Sequence, residues 1–152
     1  MNKTLILIRH AHALSRYEAA VQTDDERPLS EQGRQKAARS AQTLNERALK
    51  PQKILTSPLL RAVQTAQILA DTFHVPVEQV PLLDGFHPDM QVHDFLLEQM
   101  AAYDTLIVVG HNPCISYVTA LFCGQVRPFA PASFAIISLE DKTPPQLVFF
   151  GD

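Results

Sequence analysis

The stretch Leu5-Ile6-Leu7-Ile8-Arg9-His10-Ala11 decides how this 152-residue chain is read. Four consecutive large aliphatic residues suit a strand buried on both faces, as in a parallel sheet. The run stops in a guanidinium and an imidazole, so the strand delivers two polar groups to its carboxyl end. A second run, Thr105-Leu106-Ile107-Val108-Val109, stops in Gly110-His111-Asn112. Parallel strands of an open α/β sheet bring such ends to one crevice, which sets His10 and His111 against a common ligand. Between the two runs, Ser57-Pro58-Leu59-Leu60-Arg61-Ala62 reads as a helix start. Ser57 is its expected cap, Pro58 fits the first turn, and Arg61, one turn in, tilts back toward the crevice.

Working outward, apolar runs predict strands at Leu5–Ile8, Lys53–Thr56, Val77–Val80, Leu106–Val109, Phe134–Leu139 and Gln146–Phe150. Helical spacing predicts four helices. One follows a Ser30 cap and carries Ala37, Ala38, Ala41 and Leu44 on one stripe, and the others cover Arg61–Phe73, Asp89–Met100 and Asn112–Phe122. Asn112 is the expected cap of the last, with Pro113 at its first position. The segments Ala13–Arg27, Asp84–Pro88 and Gly124–Ala132 read as irregular, and Glu140–Pro145 reads as a hairpin connection between the last two strands. Strands alternating with helices predict an α/β fold. The expected form is a single domain over 1–152, a three-layer sandwich with a mostly parallel mixed sheet and helices on both faces.

The bulk composition narrows the partners. Thirteen basic and sixteen acidic residues give a net charge of −3, which offers no general attraction for nucleic acid or an anionic membrane. No apolar run approaches the ~20 residues of a membrane span, and the amino-terminal run, broken by Arg9, is too short for a secretory leader. Cys114 and Cys123 sit in the apolar stretch Cys114–Cys123 and read as small buried hydrophobes, which favours a reducing cytoplasm.

Any anion must therefore be caught locally. Arg9 and Arg61 make a planar, permanently charged clamp suited to phosphate oxygens. A neutral His10 can attack phosphorus through one ring nitrogen while the other donates to a backbone carbonyl, with the nearby guanidinium charges expected to depress its pKa. His111 is the expected donor to the phosphoryl oxygens. Any one such His or Arg at a strand end is more often a satisfied structural group. The order strand–Arg-His, then Ser-Pro-x-x-Arg, then strand–Gly-His is what singles them out.

These motifs resemble the histidine phosphatase superfamily, also called the phosphoglycerate-mutase-like fold. Leu7–Ala11 is similar to its Arg-His-Gly/Ala signature, Arg27-Pro28-Leu29-Ser30-Glu31-Gln32-Gly33 to its Pro-Leu-Thr/Ser-x-x-Gly segment, and Thr56–Ala66 to its Ser-Pro-x-x-Arg-Ala-x-Gln-Thr-Ala helix. Val109–Pro113 completes a resemblance that spans essentially the whole chain. It implies transient phosphorylation of His10, a phosphate pocket completed by Arg9, Arg61 and His111, and no metal or other cofactor. The short length, the Arg-Pro-Leu-Ser entry and the Gly-His-Asn-Pro ending look most like the SixA-type phosphohistidine phosphatases. That likeness implies a phosphohistidine-bearing signalling or phosphotransfer protein as substrate, received by a cleft with only short loops around it.

The general acid is the least defined element. Relatives place a Glu after the third strand, where this chain reads Pro81–Asp89, so Asp84 is the candidate acid and a turn residue in the alternative. His87 and His12 are candidate rim residues. His10-x-His12 with His111 also presents three imidazoles, the start of a hydrolytic metal site, although Arg9 and Arg61 would set two cations beside the ion. His74 and His93 are expected to have no catalytic part. Two other functions compete with the phosphohistidine reading: hydrolysis of a small phosphomonoester, with Asp84 or His87 as acid, and a non-catalytic phosphate-binding module. Oligomeric state is not encoded in any of these motifs.

Overall fold

Residues 2–152 are described by the computed structural model. The strands are β1 (Lys3–Arg9), β2 (Lys53–Thr56), β3 (Val77–Gln79), β4 (Thr105–Gly110), β5 (Phe134–Leu139) and β6 (Gln146–Gly151). The helices are α1 (Arg16–Ala19), α2 (Glu31–Glu46), α3 (Leu60–Phe73), α4 (Asp89–Gln99) and α5 (Cys114–Cys123). The strands form one sheet in the order β3-β2-β4-β1-β5-β6. The first four are parallel, and β5 and β6 join antiparallel at one edge.

Alternation along the central strands builds three layers, because successive side chains leave a strand on opposite faces. Leu5, Leu7, Leu55, Leu106 and Val108 pack on one side against Val92 and Leu96 of α4 and Ile115, Val118 and Phe122 of α5. Ile6, Ile8, Ile54, Ile107 and Val109 pack on the other against Ala41 and Leu44 of α2 and Ala62, Ala66 and Leu69 of α3. Both faces of β1 and β4 are covered, which is why their sequences are continuous hydrophobic runs. Each such fully buried aliphatic side chain contributes about 1.5–3 kcal/mol. The mixed sheet and two helical layers are the predicted α/β architecture.

Several boundaries differ from expectation. A fifth helix, α1, occupies part of the segment read as irregular. Its Ser15-x-x-Glu18 capping box is formed, with Glu18 N–H donating to Ser15 Oγ (3.1 Å) and Ser15 N–H to Glu18 Oε1 (2.9 Å). Four residues with no buried side chain carry no apolar periodicity, so the box was the available signal. Ser57 does not cap α3: its N–H still pairs with Val109 O (3.1 Å) as an extension of the sheet, and the helix begins at Leu60. Nor does Asn112 cap α5, which starts at Cys114; its side-chain amide donates instead to Phe129 O (2.8 Å). Both polar groups were drawn off by tertiary partners.

Candidate active site

The β1–β4 register pairs Arg9 with Gly110, and His10 N–H donates to Gly110 O (3.0 Å). The residues that follow, His10 and His111, are therefore lateral neighbours at the carboxyl edge. Their ring centroids lie 5.0 Å apart, close to the spacing between adjacent strands. On the other side of β4, Thr56 pairs with Val109, so Ser57 arrives beside His111. Three strand ends thus supply an arginine, two imidazoles and a hydroxyl.

Motif residues of α3 and its surroundings lock this edge in place. Thr65 Oγ1 donates to Arg61 O (2.8 Å) and accepts the N–H of Ala11 (3.0 Å), tying the helix to the residue after His10. Gln64 Oε1 accepts the N–H of Leu29 (2.8 Å), which docks the Pro-Leu-Ser segment on the same helix. Ser30 Oγ accepts the N–H of Gly33 and so caps α2 as predicted. A side chain at Gly33 would overlap the carbonyl of His12, so only glycine admits the close approach of these two segments.

One hollow of about 380 Å³ is lined by Arg9, His10, Arg27, Arg61, Asp84, Gly85, Phe86, His111, Asn112 and Pro113. His10, Arg9, Arg61, His111 and Asp84 come together as predicted. His12 and His87 do not line it. His12 faces a separate groove with Gln32, Lys36, Arg39 and Pro131, and its Nδ1 meets Ser30 Oγ at 2.7 Å, which removes it from the expected rim. His87 Nδ1 lies 2.9 Å from Asp84 Oδ1, outside the hollow's lining. Asp84 Oδ1 also accepts the N–H of Phe86 (2.8 Å), so the carboxylate serves the turn through Gly85, whose φ of +92° suits glycine. Among the described residues, no three His, Cys, Asp or Glu side chains gather to hold a metal ion.

Protonation follows from the contacts. His10 Nδ1 sits 2.8 Å from Ala11 O. A carbonyl only accepts, so Nδ1 carries the hydrogen of the neutral ring and Nε2 keeps its lone pair. Burial pushes the His10 pKa down to about 3, aided by the charges of His111, Arg61 and Arg9 and opposed by the Ala11 carbonyl. The expected guanidinium effect is present but lesser, because loss of hydration outweighs it. Burial first, then Arg61, lowers His111 to about 4. Its Nε2 lies 2.7 Å from Ser57 Oγ, whose hydroxyl oxygen already accepts the N–H of Leu59 (3.2 Å). The Ser57 hydroxyl has its hydrogen to give, and in the arrangement where it donates to Nε2 the ring hydrogen of His111 sits on Nδ1.

The arginines are held by backbone and carboxylate oxygens. Arg9 Nη1 donates to Phe129 O (2.8 Å), the acceptor it shares with Asn112. Its Nε is buried without a hydrogen-bond partner. Arg61, 8% exposed, donates through Nη1 to Asp24 O and through Nη2 to Asp24 Oδ2, both at 2.9 Å. The sequence reading did not single out Ser57 as a partner of His111, nor Asp24 or Arg27 as parts of this wall. Ser57 looked like a helix cap, and Asp24 lies in a segment without periodic pattern.

A carboxyl-edge hollow of paired imidazoles and guanidinium groups on a parallel sheet suits an α/β enzyme that handles a phosphoryl group. The chain belongs to the histidine phosphatase superfamily (branch 1), whose family model matches residues 5–88. It is a hydrolase of the histidine phosphatase type, with the phosphoglycerate-mutase-like fold. It is 40% identical over 126 residues to an uncharacterized protein of Picosynechococcus, covering 80% of this chain and 74% of that one. It is 26% identical over 144 residues to the phosphohistidine phosphatase SixA of Escherichia coli, covering 91% and 86%. A solved structure of the protein histidine phosphatase SixA with tungstate superposes with a TM-score of 0.88 at 23% identity, over 98% and 96% of the two chains. None of the helices among the described residues is long and apolar enough to cross a membrane.

Proposed function

We propose that this chain removes phosphate from a phosphohistidine side chain of a signalling or phosphotransfer protein, without a metal, through phosphorylation of His10. The observation that carries the reading is the single hollow in which the unprotonated Nε2 of His10 lies beside His111, Arg9 and Arg61. Arg9 and Arg61 take the phosphoryl oxygens. His10 Nε2 attacks phosphorus as the bond to the substrate imidazole breaks. That bond's electron pair departs with the imidazole, which leaves neutral when its other nitrogen is protonated. The Ala11 carbonyl accepts from Nδ1–H and stabilises the cationic phosphoimidazole. Water then attacks phosphorus, the P–Nε2 electrons return to the ring, and phosphate and neutral His10 are released. His111 donates to the phosphoryl oxygens, whose charge must be balanced throughout.

Two features support a phosphohistidine over an alkyl phosphate. Asp84, the one carboxylate in the lining, is engaged by Phe86 N–H and His87, and a protonated imidazole leaves without a strong acid. The likeness to the Escherichia coli phosphohistidine phosphatase agrees with this choice. Asp84 also supports a second reading, hydrolysis of a small phosphomonoester with this carboxyl as acid. Turnover of a phosphohistidine protein beside a panel of small phosphoesters decides between them. Hydrolysis of the esters alone overturns the first reading.

A further inference from the structure

Arg61 and Arg27 both line the hollow, and one carboxylate outside the lining joins them. Asp24 opens the 3-10 turn Asp24–Glu26. Its Oδ2 accepts from Arg61 Nη2 (2.9 Å), its Oδ1 from Arg27 Nη1 (3.0 Å), and its backbone carbonyl from Arg61 Nη1 (2.9 Å). Arg27 is fixed further by Nε, which donates to Leu14 O (2.8 Å). The Asp24 carbonyl is itself held by the N–H of Arg27 (3.2 Å). Asp24 does not line the hollow, so its carboxylate is placed to brace the cations rather than to compete for their inward-facing hydrogens.

We propose that Asp24 is a positioning residue for phosphate capture: it aligns Arg61 and a third pocket cation, Arg27, against an incoming phosphoryl group. This rests on the reading of the hollow as a phosphate pocket. Two guanidinium groups on one wall repel each other, and an anion between them permits their approach. A long arginine side chain also has many rotamers, and two bonds to one residue narrow that choice for a side chain that lines the hollow. Most surface ion pairs contribute little. This one differs because, although the Asp24 side chain is half-exposed, the Arg61 side chain is nearly buried, at 9% exposure, and donates to the Asp24 carbonyl as well.

Simple charge counting and positioning predict opposite signs. Removing one negative charge near an anion site strengthens anion binding if only net charge matters. If alignment matters, binding weakens. The test is the affinity of the full chain for inorganic phosphate, by calorimetry, in the wild type, Asp24→Ala and Asp24→Asn. Positioning predicts that Asp24→Ala weakens phosphate about tenfold, the worth of a charge-assisted contact, and that Asp24→Asn, which keeps an acceptor, loses less. Thermal unfolding of each variant separates this from a general loss of structure, and Asp24→Asn keeps the test alive if the alanine variant does not fold. The cost of Asp24→Ala must also shrink in an Arg61→Ala background, since Asp24 acts in part through that side chain. Unchanged or tighter phosphate binding in both variants, or an undiminished cost without Arg61, overturns the proposal. A wild type that binds no phosphate overturns the pocket reading and Asp24's part in it together. Failure on phosphohistidine alone touches only the substrate.

Discussion

Ser57 Oγ lies 2.7 Å from Nε2 of His111, joining the end of β2 to the end of β4 at the edge of the hollow. The contact is buried, so its loss leaves an imidazole nitrogen without water to replace the hydroxyl. It also couples the tautomer of His111 to the direction of the Ser57 hydroxyl. Ser57→Ala is expected to lower kcat/KM about tenfold, the cost of one buried polar partner. Steady-state kinetics with a circular-dichroism check of folding measures this. Unchanged kinetics would remove Ser57 from the mechanism.

His10→Ala is expected to abolish turnover, since the lone pair on its Nε2 is the attacking group of the proposed route. Brief exposure to labelled substrate, followed by an acid-lability assay, reads the intermediate directly. Label is expected on the wild type and absent from His10→Ala. Turnover by the variant, or binding without label in the wild type, contradicts the covalent route.

Arg9→Ala and Arg61→Ala should each cost about 1.5–3 kcal/mol or more in kcat/KM, as charge-assisted contacts to phosphate do. Near-normal efficiency in either variant would contradict its place in the clamp.

The acid side of the pH profile follows from burial. His10 and His111 are pushed down to about 3 and about 4, so both rings are neutral where an ordinary imidazole is already protonated. The acid limb of kcat/KM is therefore expected near pH 3–4 rather than near 6.5. Stability moves in the same sense. These folded-state values lie below the unfolded one, so the unfolded chain binds protons first, and stability declines as pH falls from about 6.5 toward 3. A pH–rate profile taken where circular dichroism shows native protein checks the claim. A midpoint near 6.5 would contradict the neutral-ring chemistry.

Phosphatase activity is expected to persist in excess EDTA, because every step assigned above uses this chain's own groups. Loss of activity in chelator, restored by a divalent ion, would bring the metal alternative back.

The sequence by itself determined the layers and the principal site. The buried runs Leu5–Ile8 and Leu106–Val109 specify parallel central strands, and the parallel register then sets His10 beside His111. Arg61 was legible because helical geometry fixes which way a side chain in the first turns leans. What only the tertiary structure decided is where the competing polar groups went. Ser57 and Asn112 each suited a helix cap, and each was claimed by a group distant in the chain, His111 and the Phe129 carbonyl. His12 was turned to Ser30 because the chain bridges Ala13 to Leu29, and Asp24 was brought to Arg61 across 37 positions. Backbone periodicity is written in local sequence. The choice among several adequate hydrogen-bond partners is made only when distant segments pack together.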